Sequence, residues 1–308
     1  MKKLLALVLT LALALCAAVA AAEAPTADRA GNAITLPESP SKVVCLSSAA
    51  TQTLEDLGVL DTLIGVDTYS ALYVPELAEL PQFDLSSPDM EQIAALQPDL
   101  LIVSSLTLYD QSTPYQALQD MGVCVAVVPT ATSIDGIKQD VQFLADCFDA
   151  HDEGAALVDD MQASIDDLTA IAATITDKKS VYMEIGALPY LYTTGANTYM
   201  NEMLTLIGAN NVFADQDGWL SPTEESVVAA NPDVILTNVD YVEAPVSEIL
   251  AREGWQSVAA VTNDEVYQID NVASSLANEH IVESMEEMAL AIYPDAYASL
   301  VDEAEIAQ

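Results

Sequence analysis

The sequence predicts an α/β protein of two similar lobes. Each has a central parallel sheet flanked by helices, one long connecting helix joins them, and a ligand cleft lies between. Three observations predict this. Residues 90–103 (MEQIAALQPDLLIV) and 224–237 (EESVVAANPDVILT) each run from a short helix through Ala-x-x-Pro-Asp into an apolar segment of strand length, with Pro98 and Pro232 standing 134 residues apart. Residues 53–67 (TLEDLGVLDTLIGVD) and 200–215 (MNEMLTLIGANNVFAD) echo each other in the same order, each a helix stopping at a glycine, Gly58 or Gly208. Between the copies, Leu157, Met161, Ile165, Leu168, Ile171 and Ile175 recur at three- and four-residue steps, while Asp159, Asp160, Asp166 and Asp167 fall mostly elsewhere on the wheel. A chain of two similar lobes has a cleft between them, where small molecules bind.

Residues 1–22 begin with Lys2 and Lys3, continue as an apolar run and end in small residues, the pattern of a secretory signal peptide cut after Ala22. Cys16 offers a second processing route, a lipoprotein cut before it that leaves a lipid anchor, although Leu15 stands where such signals usually place Gly, Ala or Ser. Both routes stay open. The N-terminal lobe, 23–150, starts with a polar leader to residue 40. Strand 42–47 follows, then helix 51–57 capped by Gly58, strand 61–66 and a loop over 71–88 with three prolines. Next come the helix carrying Glu91, strand 100–103, helix 115–121, strand 123–128 and helix 133–147. The connecting helix, 151–176, has an amphipathic core at 152–175 of roughly 36 Å at ~1.5 Å per residue. The C-terminal lobe, 177–296, reads as strand 180–185, helices 199–206 and 225–230, strand 234–237, helix 246–252, strand 265–269 and a closing helix 279–293. Residues 297–308 read as a frayed acidic tail. The strands are apolar throughout, as parallel strands covered on both faces must be.

At 308 residues and 52% hydrophobic content the chain has room for two packed domains. Formal net charge is −40; loss of residues 1–22 removes two lysines and no acid, so 6 − 48 gives −42. Such a surface repels nucleic acid and anionic lipid and disfavours anionic ligands. Beyond Cys16, the cysteines are Cys45, Cys124 and Cys147, an odd number in strand- and helix-like contexts, expected as small core residues. GxSxG, GxGxxG, P-loop and HExxH patterns are absent. His151 and His280 are the only histidines, too few for a metal site of nitrogen ligands alone. No catalytic residue, resident metal or cofactor is therefore expected. Residues 215–218 (DQDG) read as a turn, since the rest of a calcium loop is missing.

Aromatic residues carry the functional signal. Tyr69 and Tyr73 are expected in the loop after the second strand, Tyr190 and Tyr192 in the loop after the first strand of the second lobe, and Trp219 in the loop before Glu225. Loops at the carboxyl ends of parallel strands line the ligand crevice. Flat amphipathic rings there suit a large planar or macrocyclic ligand.

From about Asn32 to Pro294 the chain resembles the substrate-binding proteins of ABC importers for cobalamin, ferric siderophores and haem. The resemblance rests on KVVCLSSAATQTLEDLG, LIGVDTYS, MEQIAALQPDLLIV, YTTGANTYMNEMLTLIGANNVFAD, EESVVAANPDVIL, GWQSVAAVTNDEVYQI and HIVESMEEMALAIYP. It implies an extracytoplasmic, monomeric binding component working with a permease and its ATPase, breaking no bonds itself. It implies that Glu91 and Glu225 dock on permease arginines. It also implies that the turn Ser47, Ser48, Ala49 lines the pocket floor, that Tyr69 and Trp219 meet ligand, and that His280 sits near the cleft. Residues 84–87 lack the ring that cobalamin-binding relatives often carry. The mature chain has two arginines, Arg29 in the leader and Arg252 on a helix expected to lie away from the cleft. A neutral corrinoid needs no cation clamp, whereas haem and ferric siderophores carry negative groups, so a corrinoid is the expected ligand. A siderophore or haem receptor is the alternative, and a two-lobed enzyme or sensor subunit the more distant one.

Overall fold

The computed structural model describes residues 24–105 and 115–300; residues 1–23 with Cys16, residues 106–114 and residues 301–308 lie outside the described residues. The first lobe holds strands β1 (Val43–Leu46), β2 (Leu63–Asp67), β3 (Gln82–Phe83), β4 (Leu100–Val103) and β5 (Cys124–Val127), in the order β3-β2-β1-β4-β5. Every pairing is parallel. All four residues of β1 are fully buried, because helices cover both faces of the sheet. The second lobe holds β6 (Ser180–Glu184), β7 (Thr193–Thr194), β8 (Asn210–Asn211), β9 (Trp219–Leu220), β10 (Val234–Thr237) and β11 (Val266–Gln268). Its sheet runs β11-β10-β6-β8 in parallel, and β7 pairs antiparallel with β9.

The repeat seen in the sequence has one physical cause in both lobes. The helices Met90–Leu96 and Glu224–Ala230 each end on a left-handed residue, Gln97 (φ 54°) and Asn231 (φ 47°). Proline follows and cannot continue a helix. The next aspartate then clamps the start of the neighbouring strand. Asp99 accepts from the backbone N–H of Ser41 at 3.0 Å and of Lys42 at 3.2 Å. Asp233 accepts from the N–H of Ser180 at 2.8 Å and from its hydroxyl at 2.7 Å.

The connecting helix is present as His151–Ala172, 22 residues long. It does not bridge the lobes alone. The preceding helix, Ile134–Cys147, folds back against it after a turn at 148–150, with Gln142 Nε2 donating to His151 O at 3.2 Å and Lys138 bonding to Gln162. At the tight end of this hairpin a Cβ on Gly154 would stand 2.3 Å from the Ala145 methyl, so only glycine fits. The helix Ile134–Cys147 enters both cores. Ile134 and Ile137 pack with the second lobe's Val181, Met203 and Met285, while Phe143, Leu144 and Cys147 pack with the first lobe's Val43 and Leu54.

Several expectations change. The span 71–88 is not a plain loop: Tyr69 and Tyr73 stand on a helix, Thr68–Tyr73, followed by a 3-10 turn at Pro75–Leu77 and by β3. Trp219 lies in a strand, β9, because the chain folds back to pair with Thr193 and Thr194. The tail does not begin at 297. Tyr297 is fully buried, and its hydroxyl donates to Leu168 O at 3.2 Å and Ile207 O at 3.0 Å. The leader is stitched down as well, with Asp28 accepting from Val127 N–H at 3.0 Å and Arg29 paired to Asp140.

Arg252 follows the helix Pro245–Leu250 and is buried. It donates to both oxygens of Glu184, at 2.6 and 2.8 Å, and to Glu248, and lies 4.7 Å over the Trp255 ring. Burial raises the Glu184 carboxyl, and Arg252 opposes that rise. Removing one partner of a buried pair strands the other charge. Arg252→Ala is expected to cost ~3–5 kcal/mol in chemical denaturation. Replacing Glu184 and Arg252 together by methionine is expected to restore most of that loss, as read from the same unfolding curves.

Candidate functional site

The cleft is built upward from one buried carboxylate, Asp67. Ser47 caps the helix Ser48–Asp56, its side chain accepting from Ala50 N–H at 3.4 Å. The Ser48 hydroxyl donates to Asp67 at 3.0 Å. The same carboxylate caps the next helix, accepting from the N–H groups of Tyr69 at 2.9 Å and Ser70 at 3.0 Å. Asp67 thus holds the Ser47–Ala49 turn and the start of the Tyr69 helix in one fixed relation. As a strand-terminal acid it carried no distinguishing mark in the sequence.

A pocket opens between the lobes at this turn. Ser47, Ser48, Ala49, Leu85 and Thr130 line it from the first lobe, and Ser275, Leu276 and Ala277 from the second. Asp140 is the only charged side chain in the lining among the described residues, and Arg29 is paired to it. Leu85 supplies apolar surface from the segment that lacks a ring. Leu85, Thr130 and Ser275–Ala277 were missed in the sequence, although Thr130 follows β5 and was open to the same strand-end argument that found the tyrosines.

The predicted rings do not line the floor of this pocket. Tyr69 and Tyr73 lie with centroids 6.2 Å apart on the helix that leaves it. Tyr69 is 53% exposed. Burial raises the Tyr73 phenol first, and the negative charge of Asp240 from the second lobe adds to it, so this ring stands at the seam. In the second lobe Tyr192 stacks on Trp219 at 6.3 Å and 13°, and Trp219 meets the edge of Tyr199 at 5.8 Å. The buried Tyr199 hydroxyl donates to the carbonyls of Ser274 and Ser275, the latter in the pocket wall. Tyr190 projects from the tip of the 186–192 loop, 85% exposed. Tyr241, 68% exposed and missed in the sequence, braces that loop by accepting from Ala187 N–H at 2.8 Å.

Polar side chains close the seam. Thr53 donates to Glu279 at 2.7 Å, Asn278 donates to Gln52 at 2.8 Å, and Glu202 accepts from Ile134 N–H at 2.7 Å. His280 is not in the pocket wall; it lies in an adjoining groove with Gln52 and Glu283. Glu91 and Glu225 are both exposed, each in the first turn of a short helix that follows a capping residue, Asp89 or Thr223. Backbone and Thr223 hydrogen bonds hold the Glu225 carboxyl below its usual range. No helix among the described residues is long and apolar enough to cross a membrane.

The sequence pattern of the family described as periplasmic binding protein matches residues 43–273. An uncharacterized ABC transporter substrate-binding lipoprotein of Bacillus subtilis, YvrC, is 32% identical over 275 residues, spanning 88% of this chain and 86% of its own. A cobalamin-binding protein of Halobacterium salinarum is 28% identical over 284 residues, 86% of this chain and 73% of its own. Among solved structures, the molybdate-bound periplasmic protein MolA of Haemophilus influenzae superposes with a TM-score of 0.77 at 23% identity, covering 90% of this chain and 93% of MolA. The chain belongs to the periplasmic binding protein family, as an ABC transporter substrate-binding protein and not an enzyme.

Proposed function

We propose that this protein captures a neutral corrinoid of the cobalamin class between its lobes, outside the cytoplasm, and delivers it to a permease through Glu91 and Glu225. The observation that carries this reading is the charge of the cleft. Both arginines of the described chain are spent on internal carboxylates, and no lysine or arginine lines the interlobe pocket among the described residues. An anionic haem, ferric siderophore or molybdate would have to shed its hydration there without a compensating cation. A neutral ring with many amide groups instead meets hydroxyls and the apolar surface of Leu85 and Leu276. The cobalamin-binding relative supports the same choice. The matching positions of Glu91 and Glu225 in the two repeats suit a twofold permease. The pattern of residues 1–22 supports export, with Cys16 or Ala22 as the processing point.

Titration with cyanocobalamin, haem, a ferric siderophore and molybdate, read by tryptophan fluorescence, tests the ligand. Saturable quenching by cyanocobalamin alone is expected; saturation by one of the anions instead would overturn the corrinoid reading. Tyr69→Ala and Trp219→Ala are each expected to weaken binding by ~1–3 kcal/mol if the rings stack on ligand. The paired change Glu91→Ala with Glu225→Ala is expected to leave affinity unchanged and to abolish uptake in a reconstituted importer. Normal uptake by that double variant would show that docking uses another surface.

A further inference from the structure

The groove beside the pocket brings together three groups from distant parts of the chain. Asp56 ends the first helix of lobe one, and Glu279 and His280 precede the last long helix of lobe two. One oxygen of each acid and one ring nitrogen of His280 lie within 4.8 Å of one another. Glu279 is 93% buried: its Oε2 accepts from Thr53, and its Oε1 is buried with no hydrogen-bond partner. An unmatched buried carboxylate oxygen is costly unless a proton or a cation meets it.

The imidazole is oriented for a ligand's part. His280 Nδ1 lies 2.9 Å from Glu283 Oε1, and Nε2 lies 3.0 Å from Asp56 Oδ2. An imidazole donating Nδ1–H to Glu283 turns a bare Nε2 toward the Asp56 carboxylate. A lone pair facing an anion is repulsive unless a proton or a metal ion lies between them. A histidine bound to metal through one nitrogen commonly donates the other N–H to a carboxylate, the place Glu283 holds here. We propose that Asp56, Glu279 and His280 form a divalent-cation site, best suited to zinc, that ties the two lobes together across the groove. Two oxygens and one nitrogen leave a fourth position for water, and tetrahedral zinc needs such ligand atoms roughly 3.4 Å apart. Rotation of the exposed Asp56 side chain supplies that closure.

The test is zinc titration of chelator-treated protein near neutral pH, read by calorimetry and by the thermal unfolding midpoint. One equivalent is expected to bind and to raise the midpoint. Asp56→Asn and His280→Gln are each expected to abolish both effects while leaving the circular dichroism spectrum unchanged. Glu283→Gln is expected to weaken zinc affinity about 10–100-fold by freeing the ring. Two outcomes would overturn the site. One is the absence of a zinc response in the unmodified protein. The other is retention of that response by either ligand variant, which would assign zinc to the acidic surface at large. Asp56 is exposed, so its asparagine variant keeps the test open even if the other change disturbs folding.

Discussion

Two hydrophobic cores share one helix. Ile134 and Ile137 are sealed among the methionines of the second lobe, and three turns later Leu144 and Cys147 are sealed in the first. Each of these side chains is stabilised by apolar burial, and neither lobe alone buries both ends of the helix. The consequence is a joint of packed helix and not a flexible tether. Gly154 tightens it, since it lets two helix backbones approach more closely than any side chain allows. The cleft inherits its geometry from this joint. Opening it means breaking the short polar contacts of the seam, Thr53 to Glu279 and Asn278 to Gln52, while the joint holds.

Much of the fold was legible because its strongest devices are local. Tyr199–Leu206 and Val234–Thr237 match their sequence-based limits, and the helix read over 133–147 begins one residue later, at Ile134, with Ser133 as its cap. The Pro-Asp repeat was visible because the same clamp is needed wherever a parallel strand starts beside such a helix. What stayed hidden was tertiary. Tyr297 reads as part of an acidic tail, and only the gap between Leu168 and Ile207 makes it a core residue. Trp219 sits in a loop by composition and becomes a strand only because Thr193 and Thr194 are there to pair with it.

The site shows the same division. Ser47 to Ala49 and the two exposed glutamates follow from residue pattern and resemblance, and the structure puts the serine turn in the interlobe pocket. The opposing wall, Ser275 to Ala277, has no signal of its own, because small residues become a surface only when the lobes meet. The grouping of Asp56 with His280 was equally invisible, being separated by most of the chain. Arg252 was expected away from the cleft and is absent from the pocket lining; what the sequence did not show is its burial at the end of β6, where Glu184 neutralises its charge.

The double duty of Asp67 limits how this binding site can diversify. One oxygen, Oδ1, accepts from both the pocket floor and the tyrosine-bearing helix and joins them into a single jaw, so a change at Ser48 is felt at Tyr69. The facing jaw has no single carboxylate in this role among the described residues; its wall and the Tyr190 loop are linked only through stacked rings, Tyr192 on Trp219 and Trp219 on Tyr199, whose hydroxyl donates to Ser275 O. New specificities within this architecture therefore have their freest path through the second lobe, where loop length and ring identity can drift without unseating the floor.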